Sequence, residues 1–219
     1  MKKPAARCAV ALLVDIETGA RGAKDVFVPD AGSVEAQVLN VLRRRHGDVP
    51  VVPFDPYSPA PLEVLRDLRP GIVFNLTEWI DGDRARDHEI TRLLDHLRLP
   101  YTGSGAAGLQ LARDKVRAKK SVAALGVAVP RQYRAGDAAR LRRLPHPLFV
   151  KLRHGDGSDA IGTSALVRTA AQLRERLRIT AGLNQGATLC EEYIEGRDLF
   201  VALLGNQPEV LHTLELVVG

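Results

Sequence analysis

Residues 147–162 read PLFVKLRHGDGSDAIG, an apolar run that hands over to Lys151 and then to a loop carrying Gly155, Gly157, Ser158 and Gly162. A strand that delivers a lysine to a glycine-rich loop suits a phosphate. Glycine lets backbone N–H groups approach anionic oxygens closely, and the lysine adds a mobile point charge. The competing reading is a hairpin turn with a solvated lysine. Two further elements bear on the choice. Lys115 opens a helix directly after Asp114, and LCEEYIEGRD at 189–198 reads as a strand ending in two glutamates before a turn at Gly196. Such a strand offers a backbone edge for an adenine and carboxylates for ribose hydroxyls. Each element has a purely structural explanation, but their order along the chain favours a nucleotide.

Other chemistries find less support. GSGAAG at 103–108 fits the GxGxxG pattern, but it lies a hundred residues into the chain. A dinucleotide fingerprint should follow a first strand and be answered by an acid about 20 residues on, where this chain has Ala128. The six histidines form no HxxxH or HExxH pattern, so zinc is not expected. Cys8 and Cys190, far apart in apolar surroundings, read as reduced core residues. The formal charge of +5 is unevenly placed: residues 1–110 carry 14 Lys/Arg against 15 Asp/Glu, and residues 111–219 carry 17 against 11. With only 5% aromatic residues there is no base-stacking surface, so nucleic acid is not the expected partner and a small anionic ligand is. The run CAVALLV at 8–14 is too short to span a membrane. Asp15 and Glu17 after it argue for a buried first strand rather than a signal peptide, and hence for a cytoplasmic protein.

The elements that must position these residues follow from hydrophobic period and breakers. A strand over 6–15, a helix over 33–47 capped by Ser33 and stopped by Gly47, a strand over 49–54, a helix from Pro61, a strand over 71–76 and a helix over 87–99 make β-α-β-α-β-α. That order predicts a parallel α/β sheet. From about residue 112 the style changes: a helix from Asp114 to the Gly126–Pro130 stretch, then strands at 147–153, 164–169, 187–194 and 197–205 with one helix, AAQLRERLRI. The expected division is 1–112 and 113–219.

The order FNLTE (74–78), LPYTGS (99–104), Asp114-Lys115 with Lys119, GVAVP (126–130), KLRHGDGSDAI (151–161), EEYIEGRD (191–198) and LGNQPEVLHTLEL (204–216) resembles the D-alanine–D-alanine ligase branch of the ATP-grasp superfamily. The resemblance covers residues 5–216, and LPYTGS followed by Asp-Lys is its most specific part. It implies an N-terminal parallel three-layer pre-ATP-grasp domain followed by the α+β ATP-binding subdomain of a truncated grasp fold. It further implies that Lys115 and Lys151 contact the nucleotide phosphates and that the 155–161 loop, with Gly157 and Ser158, closes over them. Glu191 and the backbone from Glu192 to Ile194 would hold the adenine, with Asp198 as the ribose-binding acid. The family activates a carboxylate as an acyl phosphate, which an amine then attacks; lysines and metal ions neutralise the transferring phosphoryl group.

This chain departs from the family pattern at Leu152, where proline is usual, at Ala160, where glycine is usual, and at Asp198, where glutamate is usual. In place of the ligases' first glycine-rich turn it has VDIETGARG, where Glu17 is the candidate for a substrate amine. No Glu-x-Asn pair occurs: Asn40, Asn75, Asn184 and Asn206 are preceded at that offset by Val, Val, Gly and Leu. The expectation is therefore an ATP- and Mg2+-dependent carboxylate–amine ligase acting on small amino-acid-like substrates, inactive as this chain alone. Its catalytic and metal-binding residues are expected beyond residue 219, with no metal ligand in this chain and no membrane partner. The sequence does not fix the oligomeric state; the family is commonly dimeric through its N-terminal domain, so the resemblance allows a homodimer. The alternatives are a non-catalytic nucleotide-binding or interaction module completed by a partner chain and, on GSGAAG alone, a nicotinamide-dependent oxidoreductase.

Overall fold

The strand β1 (Val10–Asp15) is buried along its whole length, and its alternation sorts the first unit into layers. Ala11 and Leu13 face one side with Val52, Phe54, Val73, Leu65, Ile90 and Leu94; Val10, Leu12 and Val14 face the other with Phe27, Leu39 and Leu42. Only a strand covered on both faces tolerates such a continuous apolar run. The computed structural model describes residues 8–22, 26–134, 143, 147–154, 162–183 and 188–217. The chain divides into two units: the first runs to Ser121 and takes in His154, and the second begins at Val122.

In the first unit β1 lies between β4 (Val51–Phe54) and β5 (Ile72–Asn75), all parallel, with registers Leu12↔Val51 and Val10↔Ile72. The helix α1 (Val34–His46) supplies Leu39 and Leu42 to one layer; α2 (Ala60–Leu68) and α3 (Asp87–His96) supply Leu65, Ile90 and Leu94 to the other. Ser33 caps α1 by accepting the Ala36 N–H, and Gly47 ends it at φ +76°, as the sequence predicts. Two elements were not legible in the sequence. Residues 19–29 hold a short hairpin, β2 (Gly19–Arg21) with β3 (Phe27–Pro29), whose Phe27 plugs the α1 layer. GSGAAG forms the turn into a separate helix, α4 (Ala106–Arg113), with Gly103 at φ +99°. The helix predicted from Asp114 is shorter than expected. Asp114 caps it through its Oδ1, which accepts the Val116 and Arg117 N–H groups, and α5 runs Lys115–Ala124.

In the second unit β6 (Gln132–Arg134), β7 (Leu148–Leu152), β8 (Leu166–Val167) and β9 (Thr188–Glu192) form an antiparallel sheet in the order β6-β9-β7-β8. The helix α6 (Ala170–Gly182) covers one face, where Leu148, Val150, Val167, Leu173 and Cys190 are buried together. Cys190 is a free thiol that burial pushes up to about 11, in keeping with an inert core cysteine. The strand β10 (Asp198–Leu204) pairs with β11 (Glu209–Leu216) as an antiparallel hairpin exposed along both strands, tied across by a bidentate Arg197–Glu215 ion pair. No helix is long and apolar enough to cross a membrane among the described residues.

Two buried polar groups set measurable stabilities in the first unit. Arg113, ending α4, donates to Asp87, opening α3, at 2.6 Å, with both side chains nearly buried. Removing one partner strands a buried charge, so Arg113→Ala should cost about 3–5 kcal/mol in urea unfolding, and Asp87→Leu with Arg113→Met should recover most of it. Asp15 is 4% exposed. Burial pushes its carboxyl up to about 6, helped by the charges of Glu17 and Glu78 and opposed by the Glu78 and Trp79 N–H groups. The folded state therefore holds this proton at higher pH than the unfolded chain. The penalty is absent near pH 4 and complete above about pH 6, so stability falls as pH rises through that window. Asp15→Asn keeps an acceptor and loses the charge; it should be the more stable protein at pH 7.5 by about 1–3 kcal/mol, with the difference vanishing near pH 4.

Candidate functional site

The alternation of β7 and β9 decides what the open face of the second sheet presents. Val150 pairs with Cys190 and points toward α6, so Phe149 and Lys151 on β7 and Leu189 and Glu191 on β9 occupy the opposite face. Lys151 reaches diagonally across the pair, and its ammonium forms an ion pair with the Glu191 carboxylate. The Glu191 side chain is 4% exposed and that of Lys151 is 17% exposed. The Lys151 ammonium also lies 5.4 Å from the centroid of the Phe149 ring. On β6, Gln132 is the register partner of Glu191, which places it on the same face, and its Nε2 is buried with no hydrogen-bond partner among the described residues. A buried carboxylate held by a lysine, beside an amide donor with nothing to donate to, is unfinished as a core and complete as a polar recognition face.

The sequence-predicted residues divide accordingly. Lys151 and Glu191 come together. Glu192 is the last residue of β9; its N–H donates to the Arg131 carbonyl, and its carboxylate lies 3.9 Å from the Arg131 guanidinium. The Tyr193 N–H is likewise taken, by the Pro147 carbonyl. Ile194 is 60% exposed, and Asp198 is the exposed first residue of β10. Gly157 and Ser158, and with them the glycine-rich loop, lie outside the described residues. Gln132 escaped the sequence reading because a three-residue strand leaves no periodic signal; the adjoining GVAVP was the only pointer to it.

In the first unit Lys115 is the first residue of α5, where the helix dipole favours an anion and a lysine is placed against it. The C-terminal edge of the parallel sheet, where α/β sheets bind ligands, is ordered by side chains from both family-like motifs. The Glu78 N–H donates to Asp15 Oδ2 at 2.8 Å, Asn75 Oδ1 accepts from the Thr77 N–H and hydroxyl, and the Asn75 N–H donates to the Thr102 hydroxyl. Residues 100–102 lie beside β5 as a fourth parallel position, through the bridge Val73↔Tyr101. Thus FNLTE and LPYTGS, 25 residues apart in the chain counting from Phe74 to Leu99, are zipped side by side. Glu17 is exposed in a single 3-10 turn, Ile16–Thr18, next to Asp15. Beyond Glu78 the loop carries Trp79, with the Arg84 guanidinium 4.2 Å from its ring centroid and paired with Glu78 at 2.9 Å. Among the described residues no group of three or more His, Cys, Asp or Glu side chains could hold a metal ion.

No family model matches the chain. It is 38% identical over 157 residues to the uncharacterized protein y4sG of Sinorhizobium fredii, an alignment covering 68% of this chain and 44% of that protein. It is 34% identical over 210 residues to the D-alanine–D-alanine ligase of Xanthomonas axonopodis pv. citri, covering 93% of this chain and 61% of that one. To the D-alanine–D-alanine ligase of Gloeobacter violaceus it is 35% identical over 149 residues, covering 64% and 47%. The chain thus spans about half the length of the curated relatives it matches. In fold it is similar to D-alanyl-alanine synthetase A of Vibrio cholerae, with a TM-score of 0.64 at 14% identity over 97% of this chain and 69% of that one. It is also similar to a D-Ala:D-Ser ligase of Enterococcus faecalis, with a TM-score of 0.63 at 16% identity over 94% and 69%. Sequence similarity over most of the chain and a shared fold agree: the chain belongs to the D-alanine–D-alanine ligase-like family of the ATP-grasp superfamily.

Proposed function

We propose that this chain binds ATP on the open face of the β6-β9-β7 sheet and serves an ATP-dependent ligase that joins a carboxylate to an amine. The observation that carries the reading is the Lys151–Glu191 pair on a sheet face not covered by α6. Lys151 supplies positive charge to phosphate oxygens, and Glu191 holds that ammonium in place while presenting an acceptor to an exocyclic amine. Gln132 Nε2 is the donor on this face that a ring nitrogen would satisfy. Lys115 adds a second cation at the start of α5, and Gly157 with Ser158 would close over the phosphates. Glu192, Ile194 and Asp198 would border the base and ribose. In the ligase reaction ATP supplies the phosphoryl group that activates the carboxylate.

The substrates are assigned to an N-terminal domain of residues 1–112, leaving residues 113–219 for the nucleotide. The loops that Asp15 and Asn75 pin at the C-terminal sheet edge, with Glu17 and Glu78 exposed on them, suit a small substrate carrying an amine. The relatives, which are D-alanine–D-alanine ligases, support the same reading, toward D-alanine or a comparable amino acid. Mg2+ is expected of such a reaction, where it would neutralise charge on the transferring phosphoryl group.

Titration of the 219-residue chain with ATP tests the assignment. Lys151→Ala should weaken binding by roughly tenfold or more, while Lys120→Ala, an exposed position on α5, leaves it unchanged. Equal effects at the two lysines would return residues 147–162 to the role of a simple turn. Gln132→Leu, which removes the unpartnered donor, should weaken ATP by a few-fold without lowering the urea midpoint.

A further inference from the structure

At the N-terminal edge of the parallel sheet, the end opposite the loops pinned by Asp15 and Asn75, lies a cavity of about 410 Å³. Three arginines line it, Arg66, Arg69 and Arg98, over a floor that includes Pro70, Leu97 and Leu99. None of the three guanidiniums has a hydrogen-bond or ion-pair partner among the described residues. Residues 1–110 are close to neutral overall, with 14 basic against 15 acidic side chains, and three of those basic side chains line this one cavity.

The backbone gives independent support. Only three described non-glycine residues have positive φ, and two of them are Arg69 at 43° and Arg98 at 55°. Each sits just past a helix, Arg69 after α2 and Arg98 after α3, in the left-handed conformation that glycine adopts without strain. Arginine at such a position is a cost to the fold, incurred twice around one cavity. Helix-dipole compensation accounts for a cation near each C-terminus. It does not account for three guanidiniums that make no hydrogen bond to the helix-end carbonyls.

We propose that this cavity binds a phosphate dianion carried on a small organic body. Guanidinium forks match phosphate oxygens in pairs, the apolar floor suits a hydrocarbon or ring, and the volume falls within the roughly 300–1,000 Å³ of small-molecule sites. The cavity is lined by residues of the first unit alone, and the proposal does not depend on the assignment of ATP.

Calorimetric titration of the whole chain with phenyl phosphate and, in parallel, with inorganic phosphate tests it. Phenyl phosphate should bind at one equivalent and more tightly than inorganic phosphate. The Arg69→Gly/Arg98→Gly variant should lose about tenfold or more in affinity, with a melting temperature equal to or above the parent because glycine accepts both φ values. ATP affinity should be unchanged in that variant, and Lys151→Ala should bind phenyl phosphate like the parent. If circular dichroism shows the double variant unfolded, Arg66→Gln carries the same expectation. Several results would overturn the proposal: no binding, binding insensitive to the arginines, or binding lost with Lys151→Ala. Equal affinity for inorganic phosphate would reduce the cavity to an ion site, and binding of a single-stranded oligonucleotide without phenyl phosphate would make it a nucleic-acid contact; either rejects the proposal.

Discussion

The register of β7 against β9 is the constraint on which the candidate nucleotide face depends. With Val150 opposite Cys190, the apolar members of both strands are committed to α6, and Lys151 and Glu191 must emerge on the other side. A slip of one residue would drive the lysine beneath α6 and expose the core. The same register brings Gln132 into line through β6. Core packing on one face of this sheet therefore selects the chemistry on the other. The ion pair is then held by strands rather than by a loop, which limits how far the ammonium can wander.

A related logic governs the first unit, where β1 is buried on both faces and ends in a buried carboxylate. Nothing in the packing of β1 calls for an ionised group at position 15. The charge opposes folding at neutral pH, and the neighbouring charges of Glu17 and Glu78 sharpen the cost. What Asp15 gives in return is a fixed point for the backbone of residues 78–79, and through it for the loop that presents Trp79 and Arg84. Strain of this kind at the carboxyl ends of parallel strands fits a ligand-binding edge better than a structural one. The Arg113–Asp87 pair is the structural counterpart: a buried ion pair that joins α4 to α3 within the fold.

The family was legible in the sequence because its motifs lie in short, locally encoded stretches. LPYTGS and FNLTE could be recognised as strings, and the similarity to ligases over up to 93% of the chain bears out that recognition. The α/β order of the first unit was equally readable, since amphipathic helices and apolar runs announce themselves by period. The hairpin at 19–29 was not, because three-residue strands carry too few positions to show alternation, and β6 was missed for the same reason. The helix α4 hid behind a glycine pattern that invited a cofactor reading, although Gly103, at φ +99°, turns the chain toward it and Gly105 is its N-cap.

By itself the sequence determined the order of the longer elements, the family, and the positions of Lys151 and Glu191 as a lysine and a glutamate on two separate strands. It could not determine that they pair, since a diagonal contact depends on register, and register is fixed by long-range burial against α6. Nor could it show that Gln132 joins them, that Asp15 reaches the backbone of Glu78, 63 residues away, or that Arg66, Arg69 and Arg98 share one cavity. Local sequence sets φ, ψ and period within a segment. Which side chains meet across segments is decided only when the apolar faces of several elements are buried at once, and that is a property of the tertiary structure.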